Sequence, residues 1–146
     1  MPEIPDYKEK VDAYCNKLEN LSLDNLSSLL DLCSTNMEFK DPFNHTHTLT
    51  GFHSVLKDMF AQIPNAKFDV TALHGTDQNW VVKWQFRGHA GRLGELDFPG
   101  MSEIVLDDQA RICRHIDYWD SGEYFWPKIP ILGFAISWIK RRFKVH

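Results

Sequence analysis

Three stretches of sequence decide the fold: WVVKWQFRGH at residues 80–89, ELDFPGMSEIVLD at 95–107 and RICRHIDYWD at 111–120. In the first stretch apolar residues alternate with polar ones, which is typical of a β-strand with one buried face. The tight link Asp108-Gln109-Ala110 joins the last two stretches, and a link of this length predicts an antiparallel hairpin. With a further strand over residues 67–75, the chain is expected to form a strand meander.

Upstream of the meander, apolar residues recur every three to four positions, which predicts amphipathic helices. Gly51 is expected to open the third helix and Pro64 to close it. Because helices come first and strands follow, the order predicts an α+β domain with helices on one face of a curved sheet. The predicted elements are helices over residues 7–21, 24–33 and 51–63, a short strand over 37–41 and a loop over 44–50.

The bulk properties describe one domain of ordinary size. The chain has 146 residues and a net charge of -4, so no nucleic-acid partner is expected. Its three cysteines, Cys15, Cys33 and Cys113, lack metal-site spacing and are expected to be reduced thiols. No cofactor motif is present, and the first residues carry neither a basic start nor an apolar run. We therefore expect a cytoplasmic protein without a cofactor.

The order of three motifs resembles a known superfamily. Phe39-Lys40-Asp41-Pro42, then Gly51 opening a helix, then Tyr118-Trp119-Asp120 are similar to the nuclear transport factor 2-like proteins, which include ketosteroid isomerases and SnoaL-like polyketide cyclases. The resemblance covers roughly residues 5–121. It implies a cone, in which a strongly curved antiparallel sheet wraps around three helices and encloses a pocket. It also implies a homodimer formed through the outer sheet face.

The resemblance sets the expected domain bounds. Residues 1–125 would form the SnoaL-like domain, and residues 126–146 would form an apolar-basic tail helix. The superfamily contains both enzymes and non-catalytic binding domains, so the fold implies a pocket more strongly than it implies a reaction.

Asp41 is the leading candidate for a catalytic base. It continues the apolar strand face of Met37 and Phe39, and such a site should raise the pKa of a carboxyl group and suit it to general-base chemistry. In ketosteroid isomerases the Asp of the matching Asp-Pro pair is the base. The alternative is that Asp41 ends the strand and caps the turn that follows, since Asp before Pro is a common turn element.

The resemblance also implies an oxyanion hole made of a helix-1 Tyr and a protonated Asp. Tyr14 matches the Tyr, and Ser102 stands where the Asp is expected. Serine donates one hydrogen bond but is not a carboxylic acid, and this departure argues against steroid isomerisation. For Tyr14, a purely structural place in the core is the alternative.

His115, Asp117 and Trp119 share one face of the last predicted strand. A His beside a carboxylate is held in one tautomer and can move protons opposite Asp41. The other face, with Ile116 and Tyr118, is apolar as well, so the pattern leaves the facing open. A structural His–Asp pair is the alternative.

By the same alternation, other strand residues would line the pocket, although core packing explains them equally well. If they line it, the ligand is small and largely apolar. The residues expected to contact such a ligand are Trp80, Val82, Trp84, Phe86, Phe98, Ser102, Ile104 and Trp119.

A loose histidine cluster precedes the third helix. His45, His47 and His53 have no carboxylate nearby at ligand spacing, so surface histidines rather than a metal site are expected.

The tail combines an apolar run, residues 129–139, with the basic run Lys140-Arg141-Arg142-Phe143-Lys144. The apolar run is too short to span a bilayer. Two hypotheses remain: an anchor lying in the membrane interface, or a closing helix that covers the cone or a dimer partner.

Three functions remain open for the chain as a whole. It is a proton-transfer enzyme of isomerase, cyclase or dehydratase type, a ligand- or lipid-binding module that docks through its tail, or a protein-interaction domain.

Overall fold

A computed structural model describes residues 3–145. The helices are α1 (Tyr7–Glu19), α2 (Leu26–Leu30), α3 (Leu49–Gln62), α4 (Ser121–Tyr124) and α5 (Pro130–Phe143), and short 3-10 turns lie at Leu23–Asn25, Gly91–Leu93 and Trp126–Lys128. The strands are β1 (Cys33–Lys40), β2 (His45–Thr46), β3 (Lys67–Thr76), β4 (Asn79–His89), β5 (Glu95–Leu106) and β6 (Ile112–Tyr118).

The six strands form one sheet in the order β2-β1-β6-β5-β4-β3. The predicted meander from β3 to β6 is confirmed, and each of its pairs is antiparallel. One pair departs from the expected all-antiparallel sheet, because β1 runs parallel to β6. Register shifts between Val70 and Ala72 and between Val105 and Leu106 add local twist, as bulges do. The result is the curved α+β cone that was expected.

Three predicted boundaries in the N-terminal half are wrong, and one of them is the start of the first strand, which is Cys33 rather than residue 37. The second helix ends at Leu30 rather than at Cys33, and the segment from Cys33 onward is already strand β1 because it pairs with β6 at Ile112. The third helix begins at Leu49, since the Thr48 side chain accepts the backbone N–H of Gly51 and caps it two residues earlier than predicted. The prediction followed the helical spacing of neighbouring residues, which carries no information on the pairing of Cys33 with the distant Ile112.

The predicted loop before the third helix contains a short strand. His45 and Thr46 form β2, which pairs antiparallel with the end of β1. This pairing makes the histidine segment the edge strand of the sheet, next to β1. The local sequence pattern did not predict this position.

The core lies between the concave face of the sheet and the helices. Val11 and Tyr14 of α1 and Phe52 of α3 are fully buried there. On β4 the alternation is confirmed, because Trp80, Val82, Trp84 and Phe86 are buried and Val81, Lys83 and Arg87 are exposed. The facing of β6 is also settled: His115 points inward with 4% exposure, and Tyr118 on the opposite face is 55% exposed.

The C-terminal helix α5 packs mainly against the 3-10 turn Trp126–Lys128. Gly133 is its one buried residue. Within residues 3–145, no helix has both the length and the apolar character needed to cross a membrane.

Candidate active site

A cavity of about 530 Å³ lies between the concave sheet face and α3. Its wall is mainly aromatic and aliphatic, which suits a small apolar molecule. The sheet supplies most of the aromatic wall. Opposite it lie Val55, Leu56 and Met59 of α3, together with Ile63, which follows the end of this helix. The aromatic residues deep in the wall are Phe39, Phe52, Phe68, Trp84, Phe86, Phe98 and Trp119, and the lining also includes Phe43, Phe125 and Trp126.

Polar side chains of the cavity include two carboxylates brought together by neighbouring strands. Asp41 follows the end of β1, and Asp117 lies near the end of β6, which runs parallel to β1. Parallel neighbours bring their carboxyl ends to the same sheet edge, so the two acids approach each other there. Asn44, Ser102 and His115 also line the cavity.

The two carboxylate oxygens of Asp41 differ in their hydrogen-bond partners. Oδ1 accepts the backbone N–H groups of Phe43 at 2.8 Å and Asn44 at 2.6 Å, and the Asn44 side-chain amide at 3.2 Å. Oδ2 has only the same amide at 3.4 Å, a weak contact. The turn-capping hypothesis is therefore confirmed for Oδ1, and Oδ2 retains acceptor capacity.

Burial raises the pKa of Asp41 above its ordinary value, as predicted. The hydrogen bonds from Phe43 and Asn44 lower the pKa, and the negative charge of Asp117 raises it again. The net direction is upward because the loss of hydration outweighs the turn hydrogen bonds. A carboxylate in this state binds a proton more readily than one in water.

A buried chain of hydrogen bonds holds Asp117. His115 Nε2 lies 2.7 Å from Asp117 Oδ1, and His115 Nδ1 lies 2.7 Å from the Tyr14 hydroxyl. Because an ionised carboxylate can only accept hydrogen bonds, His115 carries its proton on Nε2 and donates it to Asp117 in a hydrogen bond. His115 Nδ1 then accepts a hydrogen bond from the Tyr14 hydroxyl. Burial raises the pKa of Tyr14 well above its ordinary value, which keeps this donor protonated. Both nitrogens of His115 are thus engaged by protein groups.

Ser102 extends this chain of hydrogen bonds from Asp117 to Trp84. Its hydroxyl donates to Asp117 Oδ1 at 2.5 Å and accepts the indole N–H of Trp84 at 2.8 Å. Asp117 Oδ1 therefore accepts from both His115 and Ser102, whereas no hydrogen bond from residues 3–145 reaches Oδ2. The network fixes the acid's orientation and leaves its second oxygen available.

Gly100 makes room for the Trp84 indole. The two residues are opposite each other in the β4–β5 pair, and a Cβ at position 100 would lie 2.2 Å from the Trp84 ring. Such a contact is far shorter than any real carbon–carbon approach, so a side chain here would push the indole out of the cavity wall.

The predicted oxyanion donors are not free. The Tyr14 proton is committed to His115, and Tyr14 is fully buried behind that residue rather than in the cavity lining. The Ser102 proton is committed to Asp117. Ser102 lines the cavity, but its hydrogen bond is directed within the protein.

The predicted ligand contacts divide into two groups. The strand positions that line the cavity are Trp84, Phe86, Phe98, Ser102 and Trp119, together with His115, Asp117 and Asp41. Trp80, Val82 and Ile104 do not line it; they are buried in the core, where Trp80 and Ile104 are opposite each other in the β4–β5 register. Alternation gives the inward face of a strand but not where along the strand the cavity ends.

An aromatic cluster borders the cavity, and of its four members only Trp119 was predicted from the sequence. Phe43, Trp119, Phe125 and Trp126 form it, with ring centroids of Phe43 and Phe125 4.9 Å apart and those of Phe43 and Trp126 5.6 Å apart. We call it the mouth cluster, since Phe43 is 47% exposed although it lines the cavity. Trp126, the first residue of the predicted tail, thus contributes to the pocket of the domain.

The histidine segment has a carboxylate beside it, contrary to the sequence expectation. His45 Nε2 lies 2.8 Å from Glu38 Oε2, and His47 Nδ1 lies 4.0 Å from the same oxygen. Their donor atoms are close enough together to hold a metal ion, but Arg114 also pairs with Glu38 through its other oxygen at 3.2 Å. Glu38 was missed because only the β1–β2 pairing brings it to the histidines.

Comparisons with known proteins agree with this architecture. A search of curated proteins finds no match. Solved structures with the same fold include an NTF2-like protein of unknown function from Exiguobacterium sp. 255-15, with 14% identity and a TM-score of 0.66 over 76% of this chain and 98% of that one. A hypothetical protein with a ketosteroid isomerase-like fold from Catenulispora acidiphila, in complex with trimethylamine, has 14% identity and a TM-score of 0.68 over 80% and 88%.

An LEH-like epoxide hydrolase from M. tuberculosis has 16% identity and a TM-score of 0.67, and the match covers 100% of this chain and 99% of that one, the C-terminal segment included. At these identities the likeness shows the fold alone. The family comparison is more specific, since the model of the SnoaL-like domain matches residues 11–115. The chain belongs to the SnoaL-like domain family.

Proposed function

We propose that the protein is an acid–base enzyme acting on a small, largely apolar cyclic molecule that carries a carbonyl group. The observation that supports it most is the pairing of Asp41 and Asp117 in an aromatic cavity, each with one oxygen held by the protein and one oxygen left for a ligand. No metal or cofactor is needed for this chemistry.

In the proposed reaction, Asp41 Oδ2 takes a proton from the carbon next to the carbonyl. The electrons of the broken C–H bond form the enolate, and the protonated Asp41 then returns a proton to the same or a neighbouring carbon. In D₂O the Asp41 carboxyl exchanges its proton with solvent before this return, so that deuterium enters the product. Because the protons of Tyr14 and Ser102 are both engaged within the protein, the substrate needs a C–H that is already acidic. Isomerisation, cyclisation and dehydration of carbonyl compounds can each begin with this step.

The ketone 2-tetralone tests this proposal, because its C1–H is activated by both a carbonyl and an aryl ring. We expect the protein to accelerate deuterium incorporation at C1 in D₂O, followed by proton NMR. The flat aromatic 2-naphthol resembles the enol form and should inhibit competitively. Exchange no faster than with heat-denatured protein would contradict the catalytic proposal, and tight 2-naphthol binding without exchange would favour the non-catalytic binding module.

The pH dependence gives a second prediction. Since only ionised Asp41 is a base, the exchange rate after subtraction of the buffer reaction should rise as pH increases through the raised pKa of Asp41, above the ordinary value of 3.8. Asp117→Asn removes the neighbouring negative charge and should move the inflection to lower pH. An inflection that stays in place or moves upward would show that Asp117 does not act on Asp41.

We also propose that two chains pair through the outer sheet face. Met101 and Tyr118 are opposite each other on β5 and β6 and are 43% and 55% exposed, and Val81 lies on the same face of β4. Sedimentation velocity is expected to show a dimer that Met101→Lys with Tyr118→Lys dissociates. A wild-type monomer throughout the accessible concentration range would exclude this arrangement.

A further inference from the structure

The helix α5 presents most of its apolar side chains to solvent. Ile131 is 88% exposed, Phe134 74% and Trp138 50%, and Leu132, Ile139 and Phe143 are exposed as well. Single exposed apolar residues are normal on protein surfaces, but a contiguous set on one helix indicates an interaction site.

The way α5 meets the domain determines where this apolar surface points. Gly133 is packed so closely on the turn before the helix that a Cβ would lie 2.2 Å from the Pro127 carbonyl oxygen. Lys140 follows Gly133 by seven residues and so lies on the same face of the helix. Ile131 and Trp138 lie on the opposite side and face away from the domain.

The charge of this segment is opposite to that of the rest of the chain. Lys140, Arg141, Arg142 and Lys144 are clustered at its end, and no Asp or Glu follows Glu123. All 20 acidic residues of the chain therefore precede α5. The Arg142 guanidinium lies 4.7 Å from the centre of the Trp138 ring, so a cation and an indole are presented together.

We propose that α5 docks the protein on an anionic lipid surface. A helix with an exposed apolar face, an interfacial Trp and flanking cations matches the requirements for lying in the headgroup region of a bilayer. A second copy of α5 offers the same positive charge and so no complementarity, whereas lipid phosphates and serine carboxylates supply it. The acidic body would be repelled from the same surface, so that only the tail faces the lipid.

Docking by α5 brings the cavity near the membrane. The turn on which α5 packs begins with Trp126, which belongs to the mouth cluster and lines the cavity. An apolar substrate dissolved in the bilayer then reaches the cavity by a short path. This consequence rests on the proposed function, whereas the docking itself does not.

The test is flotation of the full chain with two kinds of vesicle, phosphatidylcholine alone and phosphatidylcholine mixed with phosphatidylserine. We expect at least about tenfold stronger partitioning onto the anionic vesicles, which high salt abolishes. Replacing Lys140, Arg141, Arg142 and Lys144 with Gln should remove the preference, and Phe134→Ser with Trp138→Ser should remove binding. Replacing four exposed lysines on α1 and α3, Lys8, Lys10, Lys17 and Lys57, with Gln removes the same number of charges; this matched control should bind like the wild type.

Several outcomes would overturn the proposal: no binding to anionic vesicles, equal binding to both kinds, or binding that survives the α5 substitutions. Loss of a dimer on Phe134→Ser with Trp138→Ser, with no vesicle binding by the wild type, would assign the helix to self-association instead. Asp41→Asn should float like the wild type, so a failed exchange assay and a failed docking assay remain distinguishable.

Discussion

Asp41→Asn is expected to slow the deuterium exchange of 2-tetralone by about a hundredfold or more, the range by which a positioned base accelerates proton transfer. Asn has nearly the same shape and its amide oxygen still accepts the N–H groups of Phe43 and Asn44, so the turn is retained. What is lost is the lone pair that takes the substrate proton. The rate is to be measured by NMR at a pH well above the inflection of the wild type.

The same variant should not lose stability at neutral pH. Because the pKa of Asp41 is raised in the folded state, its contribution to stability is fully present below its ordinary pKa of 3.8 and is lost as pH rises through the raised value. Ionised Asp41 therefore costs stability at pH 7, and Asp41→Asn removes that cost. Urea unfolding at pH 7 should give a midpoint at least as high as that of the wild type.

The control for this experiment is Asp58→Asn, which replaces another cavity-lining carboxylate on the exposed side of α3. It should keep the wild-type rate. Wild-type activity in Asp41→Asn, or an equal loss in Asp58→Asn, would remove Asp41 from the role of base.

His115→Ala is expected to lower the free energy of unfolding by about 2–4 kcal/mol, because it leaves an unfilled space in the core and takes away a hydrogen-bond partner of buried Tyr14 and of partly buried Asp117. Tyr14 loses its acceptor, and Asp117 keeps only Ser102 as a donor. Since both nitrogens of His115 are engaged, we regard it as a positioning residue for Asp117 rather than as the group that touches substrate.

Two measurements separate a positioning role from a purely structural one. Urea unfolding gives the stability change, with exposed His74→Ala on β3 as the control that should change little. The pH dependence of exchange, measured on the folded fraction, should show an altered inflection because Asp117 is no longer fixed beside Asp41. An unchanged pH profile in a destabilised variant would make the network structural only, and unchanged stability would contradict the hydrogen-bond chain itself.

The parts of the fold that follow from local periodicity were predictable. The strands from β3 to β6, the two long helices α1 and α3, and the inward face of β4 are all set by alternation or helical spacing. The start of β1 was not, because Cys33 to Asn36 carry no strand pattern of their own. Cys33 pairs with Ile112 of β6, and the register is irregular until pairing resumes at Glu38. The pattern of a short stretch of sequence does not predict its pairing with a strand that is distant in sequence.

The candidate site was predictable in residue type and less so in role. Asp41, His115 and Asp117 do meet at one cavity. The sequence left the facing of β6 open because both of its faces are apolar, and only burial against the helices selects the His115 side. Phe43 and Phe125 were missed because they lie outside regular strands, where periodicity carries no information about direction.

A crystal structure with 2-naphthol bound tests the central claim most directly. We expect the rings to lie in the cavity between α3 and the aromatic wall, with the hydroxyl oxygen within hydrogen-bond distance of Asp41 Oδ2. A cavity closed by its own side chains, or 2-naphthol bound with its hydroxyl directed away from Asp41 and Asp117, would contradict the account.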